Sequence, residues 1–170
     1  ERRVLSACAA AGVYPRKAFT AAGGFDEDFF AYMEDVDLDF RLQLLGYPCW
    51  YLPQAVVRHA GSGSTAPRSD LVIFYGHRNL VWTFVKDMPG WLFWVMLLPH
   101  LLVNLLYLIV ALFLPMRKAM FKAKWEALIG LPTAWKKRRA VQRQRKVSVG
   151  YIAGLLEWNP LAPLIKLTYR

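Results

Sequence analysis

Cysteine is almost missing from this chain: Cys8 and Cys49 are the only two, no CxxC occurs, and three histidines add no zinc-type spacing. A disulfide framework and a structural zinc site are thereby excluded, and a reducing, cytoplasmic setting is expected. Acidic residues are scarce beyond position 90, where two face thirteen Lys+Arg, so the net charge of +10 arises in the second half. Charge of either sign is absent from residues 91–114, which excludes an ordinary solvated helix there. Internal repeats and low-complexity tracts are also lacking, which removes solenoid architectures. Neither an initiator Met nor a charged-then-apolar leader opens the chain. Its first thirty residues read as the middle of a domain, so an N-terminally incomplete protein is expected.

What is present is apolar mass and one concentrated acidic segment. Of 170 residues, 56% are hydrophobic and 15% aromatic, ample for the core of one domain. Seven of the twelve acidic residues fall between Asp26 and Asp39. Residues 4–14 form a small-residue apolar run suited to a buried strand, broken by Pro15. Residues 16–22 suit a short helix ending at Gly23-Gly24, and residues 25–31 a loop with partly buried aromatics. Val36, Phe40 and Leu44 repeat every four residues with Leu38, Leu42 and Leu45 beside them, predicting a helix from near Glu34 to a stop at Gly46. Residues 49–52 and 55–59 are β-type runs separated by Pro53. They place His59 at a strand end before the Gly61-Ser62-Gly63-Ser64-Thr65 loop.

Residues 69–86 mix Phe74, Tyr75, His77, Arg78 and Trp82 in a helix suited to a membrane–water interface. The uncharged residues behind it would make a helix about 36 Å long, against roughly 30 Å of hydrocarbon core. Pro99-His100 and Asn104 interrupt that run, and Lys136-Lys137-Arg138-Arg139 and Arg143-Gln144-Arg145-Lys146 follow it. Basic flanks prefer the cytoplasm. If the acidic segment also lies there, a single span would export the basic cluster, so a re-entrant or monotopic arrangement is preferred over a span. The basic run has no interleaved aromatics, which favours anionic membrane lipid over nucleic acid as its partner.

Each candidate site residue has a plain structural alternative. Glu34, Asp35 and Asp37 fall in a first helical turn, where the helix dipole alone favours acids by about 0.3–1 kcal/mol. The flanking Phe29, Phe30, Tyr32 and Met33 go beyond that account, because they wall a cleft and desolvate a carboxylate, which raises its basicity as a general base requires. Arg41 is expected to pair with Asp37 on the helix surface, and Asp26 and Asp28 to order their loop. The Gly61–Ser64 loop reads either as a phosphate cradle or as a turn.

These residues also carry a resemblance. Gly24-Phe25-Asp26-Glu27-Asp28-Phe29-Phe30, Glu34-Asp35-Val36-Asp37-Leu38, Arg41, Gly46-Tyr47, Pro53-Gln54-Ala55-Val56-Val57, His59 and Ser64 together resemble the C-terminal half of a family 2 glycosyltransferase catalytic domain. Bacterial rhamnosyl- and galactofuranosyltransferases are the most similar members, and the match covers about residues 4–90. The resemblance implies an α/β, GT-A (Rossmann-like) fold, here its acceptor-side half in residues 1–68. An interfacial helix (69–90), a hydrophobic membrane-associated segment (91–115) and a basic amphipathic tail (116–170) follow.

It further implies an inverting transfer from a nucleotide-sugar donor to a glycan or lipid-linked acceptor at the cytoplasmic face of a membrane. Asp35 would be the base, Glu34 its partner, and His59 a ligand of a divalent metal, Mn2+ or Mg2+. Arg78, Ser64 and Asp37 are the candidate substrate-binding residues. The donor-side Asp-x-Asp motif is not among these residues: Asp35-Val36-Asp37 has its letters but sits in the acceptor helix. The segment alone is therefore expected to be inactive. The competing expectation is a non-catalytic membrane-anchoring or scaffolding piece, in which the acids only cap a helix.

Overall fold

The computed structural model describes residues 1–58 and 69–159. Its elements are β1 (Arg2–Val4), α1 (Arg16–Ala21), α2 (Glu34–Leu44), β2 (Cys49–Tyr51), α3 (Asp70–Asp87), α4 (Gly90–Ala111), α5 (Arg117–Ile129), α6 (Leu131–Gln144) and α7 (Val149–Ala153). Single 3-10 turns occur at Ala9–Ala11 and Glu27–Phe29. β1 and β2 pair antiparallel with Arg3 opposite Trp50, and helices make up most of the remaining described structure.

The chemistry of the ends sets the helix limits. α2 stops because Gly46 takes φ 88°, and Gly46 N–H and Tyr47 N–H donate back to Gln43 and Leu42 carbonyls at 3.0 and 2.9 Å. That pairing satisfies two carbonyls the helix leaves open. α3 begins where the Ser69 hydroxyl accepts Val72 N–H at 3.4 Å, an N-cap.

Two expected strands are corrected. Only the first position of residues 4–14 is in β1, and none of that run is buried. Its alanines bury little area, and the N–H groups of Ala7 and Ala9 instead donate to side chains of α2. Residues 55–58 form no strand either, since Ala55 and Val56 N–H close tight turns onto Leu52 and Gln54 carbonyls and leave Val56 82% exposed. His59 and the Gly61–Ser64 loop lie outside the described residues.

α2 is the packing hub because apolar residues lie on two of its flanks. Leu38 and Leu42 meet Ala18 of α1, while Phe40 and Leu44 join Phe84 and Val85 of α3, Leu92 and Phe93 of α4, and Ile152 of α7. Gln43, fully buried, donates to the Val4 carbonyl at 2.8 Å and accepts the Tyr151 hydroxyl at 2.7 Å, so β1 and α7 are tied through one side chain.

α5 approaches α3 closely through Ala119, Ala123 and Ala127, all buried. The Trp82 indole donates to the Ala127 carbonyl at 3.0 Å, and a Cβ on Gly130 would fall 2.2 Å from the Trp82 ring. Gly130→Ala is therefore expected to destabilise the protein by about 1–3 kcal/mol through overpacking. Denaturant melts should show the loss, with part of it recovered in a Trp82→Leu background.

Candidate active site

Three departures from ordinary backbone geometry within four residues precede α2. Phe30, Tyr32 and Met33 have φ of 62°, 63° and 70°, a region that costs a non-glycine residue about 1–3 kcal/mol and persists only when its surroundings enforce it. The enforcement comes from α3. Asn79, with no exposed surface, donates its amide to the carbonyls of Phe29, Ala31 and Tyr32 at 2.9, 2.8 and 2.7 Å. Arg78 donates to the Asp28 and Phe29 carbonyls at 2.8 and 3.1 Å, and its Nε donates to Asn79 Oδ1 at 2.9 Å. The same guanidinium lies 4.2 Å from the Trp82 ring centroid. α3 thus fixes the turn from which Glu34 and Asp35 emerge.

The acids of α2 then divide by face. Asp35 and Asp39, four residues apart, point at the loop after β1. Asp35 accepts Val36 N–H at 2.8 Å and Ala9 N–H at 3.1 Å, and Asp39 accepts Ala7 N–H at 2.7 Å and the Ser6 hydroxyl at 2.9 Å. Burial pushes the Asp39 carboxyl up, against the lowering effect of its Ala7 and Ser6 bonds. Burial and the Asp39 charge likewise push the Tyr14 phenol up. Glu34 holds its proton above the usual carboxylate range because it is partly buried and sits beside Asp35, although a backbone N–H opposes the shift. Its Oε2 is enclosed without a hydrogen-bond partner among the described residues.

Asp37 takes the opposite face. It is fully buried, pairs with Arg41 at 2.6 Å and with Lys86 of α3, and the Arg41 guanidinium also reaches the Ala22 and Gly24 carbonyls. The Asp37–Arg41 pair expected on the helix surface is therefore an interior one, because Lys86 supplies a third charge that makes burial tolerable. Lys86 continues to Asp26 at 2.6 Å, and Lys137 of α6 bridges Asp26 and Asp28 at 2.5 and 2.6 Å. A cavity of about 510 Å³ opens over this network, lined by the Gly23-Gly24 turn and α6 and not by Glu34 or Asp35.

Among the expected site residues, Glu34 and Asp35 come together at the start of α2. Asp37 lies enclosed among Arg41 and Lys86, and Arg78 is turned onto backbone carbonyls; His59 and Ser64 lie outside the described residues. No group of three His, Cys, Asp or Glu side chains able to hold a metal ion occurs among the described residues, and backbone N–H groups already engage both oxygens of Asp35. The described residues therefore do not form a metal shell.

The basic run of α6 is divided rather than uniform. Arg138 is buried and donates to the Val85 and Met88 carbonyls at the end of α3, Lys137 serves the acidic loop, and Lys136, Arg139 and Arg143 remain exposed. Sequence reasoning missed Asn79 as the holder of the loop and Asp39, Ser6 and Tyr14 as neighbours of Asp35. The one available signal was a polar Arg78-Asn79 pair inside an otherwise aromatic helix.

Asn79→Asp keeps the shape but replaces an amide donor by an acceptor facing three carbonyls. Unpairing buried polar groups costs about 1–3 kcal/mol each, so the Phe30–Met33 turn is expected to relax. Amide hydrogen exchange across residues 28–35 should accelerate in the variant, while the distant α4 amides keep their protection.

Over 79 residues the chain is 43% identical to N-acetylglucosaminyl-diphospho-decaprenol L-rhamnosyltransferase of Mycobacterium tuberculosis, in both strain CDC 1551 / Oshkosh and strain ATCC 25618 / H37Rv. The aligned part is 45% of this chain and 25% of the relative, so the chain spans about a quarter of the length of the curated relatives it matches. No family model and no solved structure matches. The chain is similar over this stretch to a bacterial rhamnosyltransferase.

Proposed function

We propose that this chain supplies the acceptor side of an inverting, family 2 (GT-A) glycosyltransferase working at a membrane surface in bacterial cell-surface polysaccharide synthesis. The observation that carries the reading is the pair Glu34-Asp35, set at the first turn of α2 by a backbone turn strained at three residues and clamped by Arg78 and Asn79. Strain of this kind is retained where it positions a reacting group. The similarity to a rhamnosyltransferase supports the same reading, and the relative, as its name states, acts on N-acetylglucosaminyl-diphospho-decaprenol.

In the proposed reaction an acceptor hydroxyl oxygen attacks the anomeric carbon of a nucleotide sugar. The bond from that carbon to the diphosphate breaks with its electron pair leaving on the nucleoside diphosphate, and Asp35 takes the hydroxyl proton. Glu34, beside Asp35 and with one oxygen lacking a hydrogen-bond partner among the described residues, orients the acceptor. Asp37 and Arg78 act at one remove, through the charge network and the strained loop. A Mn2+ or Mg2+ ion would neutralise the leaving diphosphate, with His59 as the ligand this chain would offer and Ser64 as a substrate-binding residue. No step is derived through that ion, because the described residues form no shell for it.

Membranes from cells expressing the complete gene, supplied with labelled nucleotide sugars and a polyprenyl-diphosphate-linked acceptor, test the proposal. The expected product is an extended lipid-linked glycan with inverted anomeric configuration. Retention of configuration overturns the inverting mechanism, and no transfer from any nucleotide sugar overturns the enzyme reading in favour of a membrane scaffold.

A further inference from the structure

α4 has two unlike flanks. On one, His100 stacks on Phe84 with centroids 4.0 Å apart, Asn104 accepts Lys124 of α5 at 2.5 Å, and Tyr107 meets His77 of α3 at 4.8 Å. On the other, Trp94, Leu98, Leu102, Leu105 and Ile109 recur every three or four residues and are 66%, 64%, 56%, 53% and 47% exposed. α4 is 22 residues long with mean hydropathy 2.1 and passes, by length and composition, as a membrane span. His100 and Asn104 lie on the side that meets α3 and α5, while Val95, Leu101, Val103, Leu106 and Val110 are exposed beside the stripe.

The packing argues against a transverse helix. Contacts from Phe93 to Tyr107 hold about 21 Å of α4 against the rest of the bundle. The α3 and α5 helices in contact there carry Arg78, Lys86 and Asp87, and Arg117, Lys122 and Lys124. A spanning α4 would draw those side chains into hydrocarbon, where ionisable groups are costly. An in-plane α4 keeps them at the aqueous side.

The surface of α5 fits the same placement, since exposed Phe121, Trp125 and Leu128 alternate with exposed Arg117, Lys118 and Lys122. Aromatic and basic residues sharing one helix face are the composition of an interfacial helix. The exposed Lys136, Arg139 and Arg143 of α6 extend the positive surface, which complements anionic headgroups and repels a second copy of the same basic chain.

We infer that α4 lies in the plane of an anionic bilayer, with its 94–109 stripe at the acyl boundary and its His100–Asn104 flank on the protein. This deepens the membrane part of the proposed function and rests on it. Vesicle binding is read without sugar transfer, so either can fail while the other stands.

The full chain, in a Cys8→Ser, Cys49→Ser background, is mixed with vesicles of phosphatidylcholine alone or with roughly one-third phosphatidylglycerol. Co-sedimentation should occur with the anionic vesicles and fall at least about tenfold in Leu98→Glu/Leu105→Glu, whose exposed positions leave the circular dichroism spectrum unchanged. Nitroxides on single Trp94→Cys, Leu102→Cys and Ile109→Cys variants should report one common depth. A steady progression of depth along the three positions overturns the in-plane placement. Equal binding to neutral vesicles overturns the anionic surface, and a lipid-free dimer abolished by the double glutamate variant assigns the stripe to a second copy instead.

Discussion

Asp35→Asn is expected to lower kcat for sugar transfer by about 10²–10⁴-fold, the range that a positioned general base contributes. The substitution removes the proton acceptor while keeping the length of the side chain, and one oxygen remains to accept Ala9 or Val36 N–H, as both carboxylate oxygens now do. The fold should therefore persist, with a thermal midpoint within a few degrees of the parent, and KM for the acceptor should change far less than kcat. Glu34→Gln gives the contrast. It keeps an oxygen at the unpartnered Oε2 position, so a larger effect on acceptor KM than on kcat is expected if Glu34 orients the acceptor. Wild-type kcat in Asp35→Asn would falsify the base assignment and return these acids to helix capping.

Lys86→Met is expected to cost about 3–5 kcal/mol of folding stability, the usual penalty for leaving buried charge uncompensated. The Lys86 side chain is 3% exposed and neutralises Asp26 and Asp37 together, joining the 26–28 loop, α2 and α3. Urea melts of the parent and the variant measure the difference. Little change would mean that Arg41 and Lys137 carry the two acids unaided.

The same network predicts how stability follows pH. Burial alone would raise the Asp26 carboxyl, but the bonds from Lys137 and Lys86 outweigh it and hold it at about 2, below the ordinary 3.8. A lowered carboxylate stabilises the fold fully above 3.8 and loses that contribution as pH falls toward 2. The unfolded chain takes up the proton first.

Asp87 behaves in the opposite sense. Complete burial, reinforced by the Asp37 charge beside it, pushes its carboxyl well above the usual range. The folded protein therefore holds a proton that the unfolded chain releases as pH rises above about 3.9, and stability declines through that interval. Asp87→Asn retains a neutral side chain of the same shape. Its stability advantage over the parent should grow as the melts are moved from about pH 4 to pH 7, and a pH-independent difference would rule out a protonated Asp87.

Local signals were sufficient for the elements that frame the site. Four-residue spacing and Gly46 predict α2 to within a residue at each end, Ser69 marks the start of α3, and the uncharged run predicts α4. The acidic first turn of α2 was legible too, because a helix terminus and its favoured charges are neighbours in sequence. The strand expected over residues 4–14 failed for a complementary reason. An apolar run states what wants burial, but here the backbone N–H groups found acceptors in Asp35 and Asp39 rather than in a sheet.

By itself, then, the sequence determined the approximate limits of α2, α3 and α4, that acids gather before and within α2, and that one long apolar helix precedes a basic tail. Only the tertiary structure decided which acid faces which partner. Asp37 is interior because Lys86 arrives beside it, the strained turn stands because Asn79 reaches Phe29 from 50 residues away, and Lys137 closes on Asp26 across 111 residues. Such pairings depend on which surfaces meet and how much water they exclude. Periodicity and capping report the geometry of one segment at a time and carry no information about the charge or carbonyl that another segment brings to it.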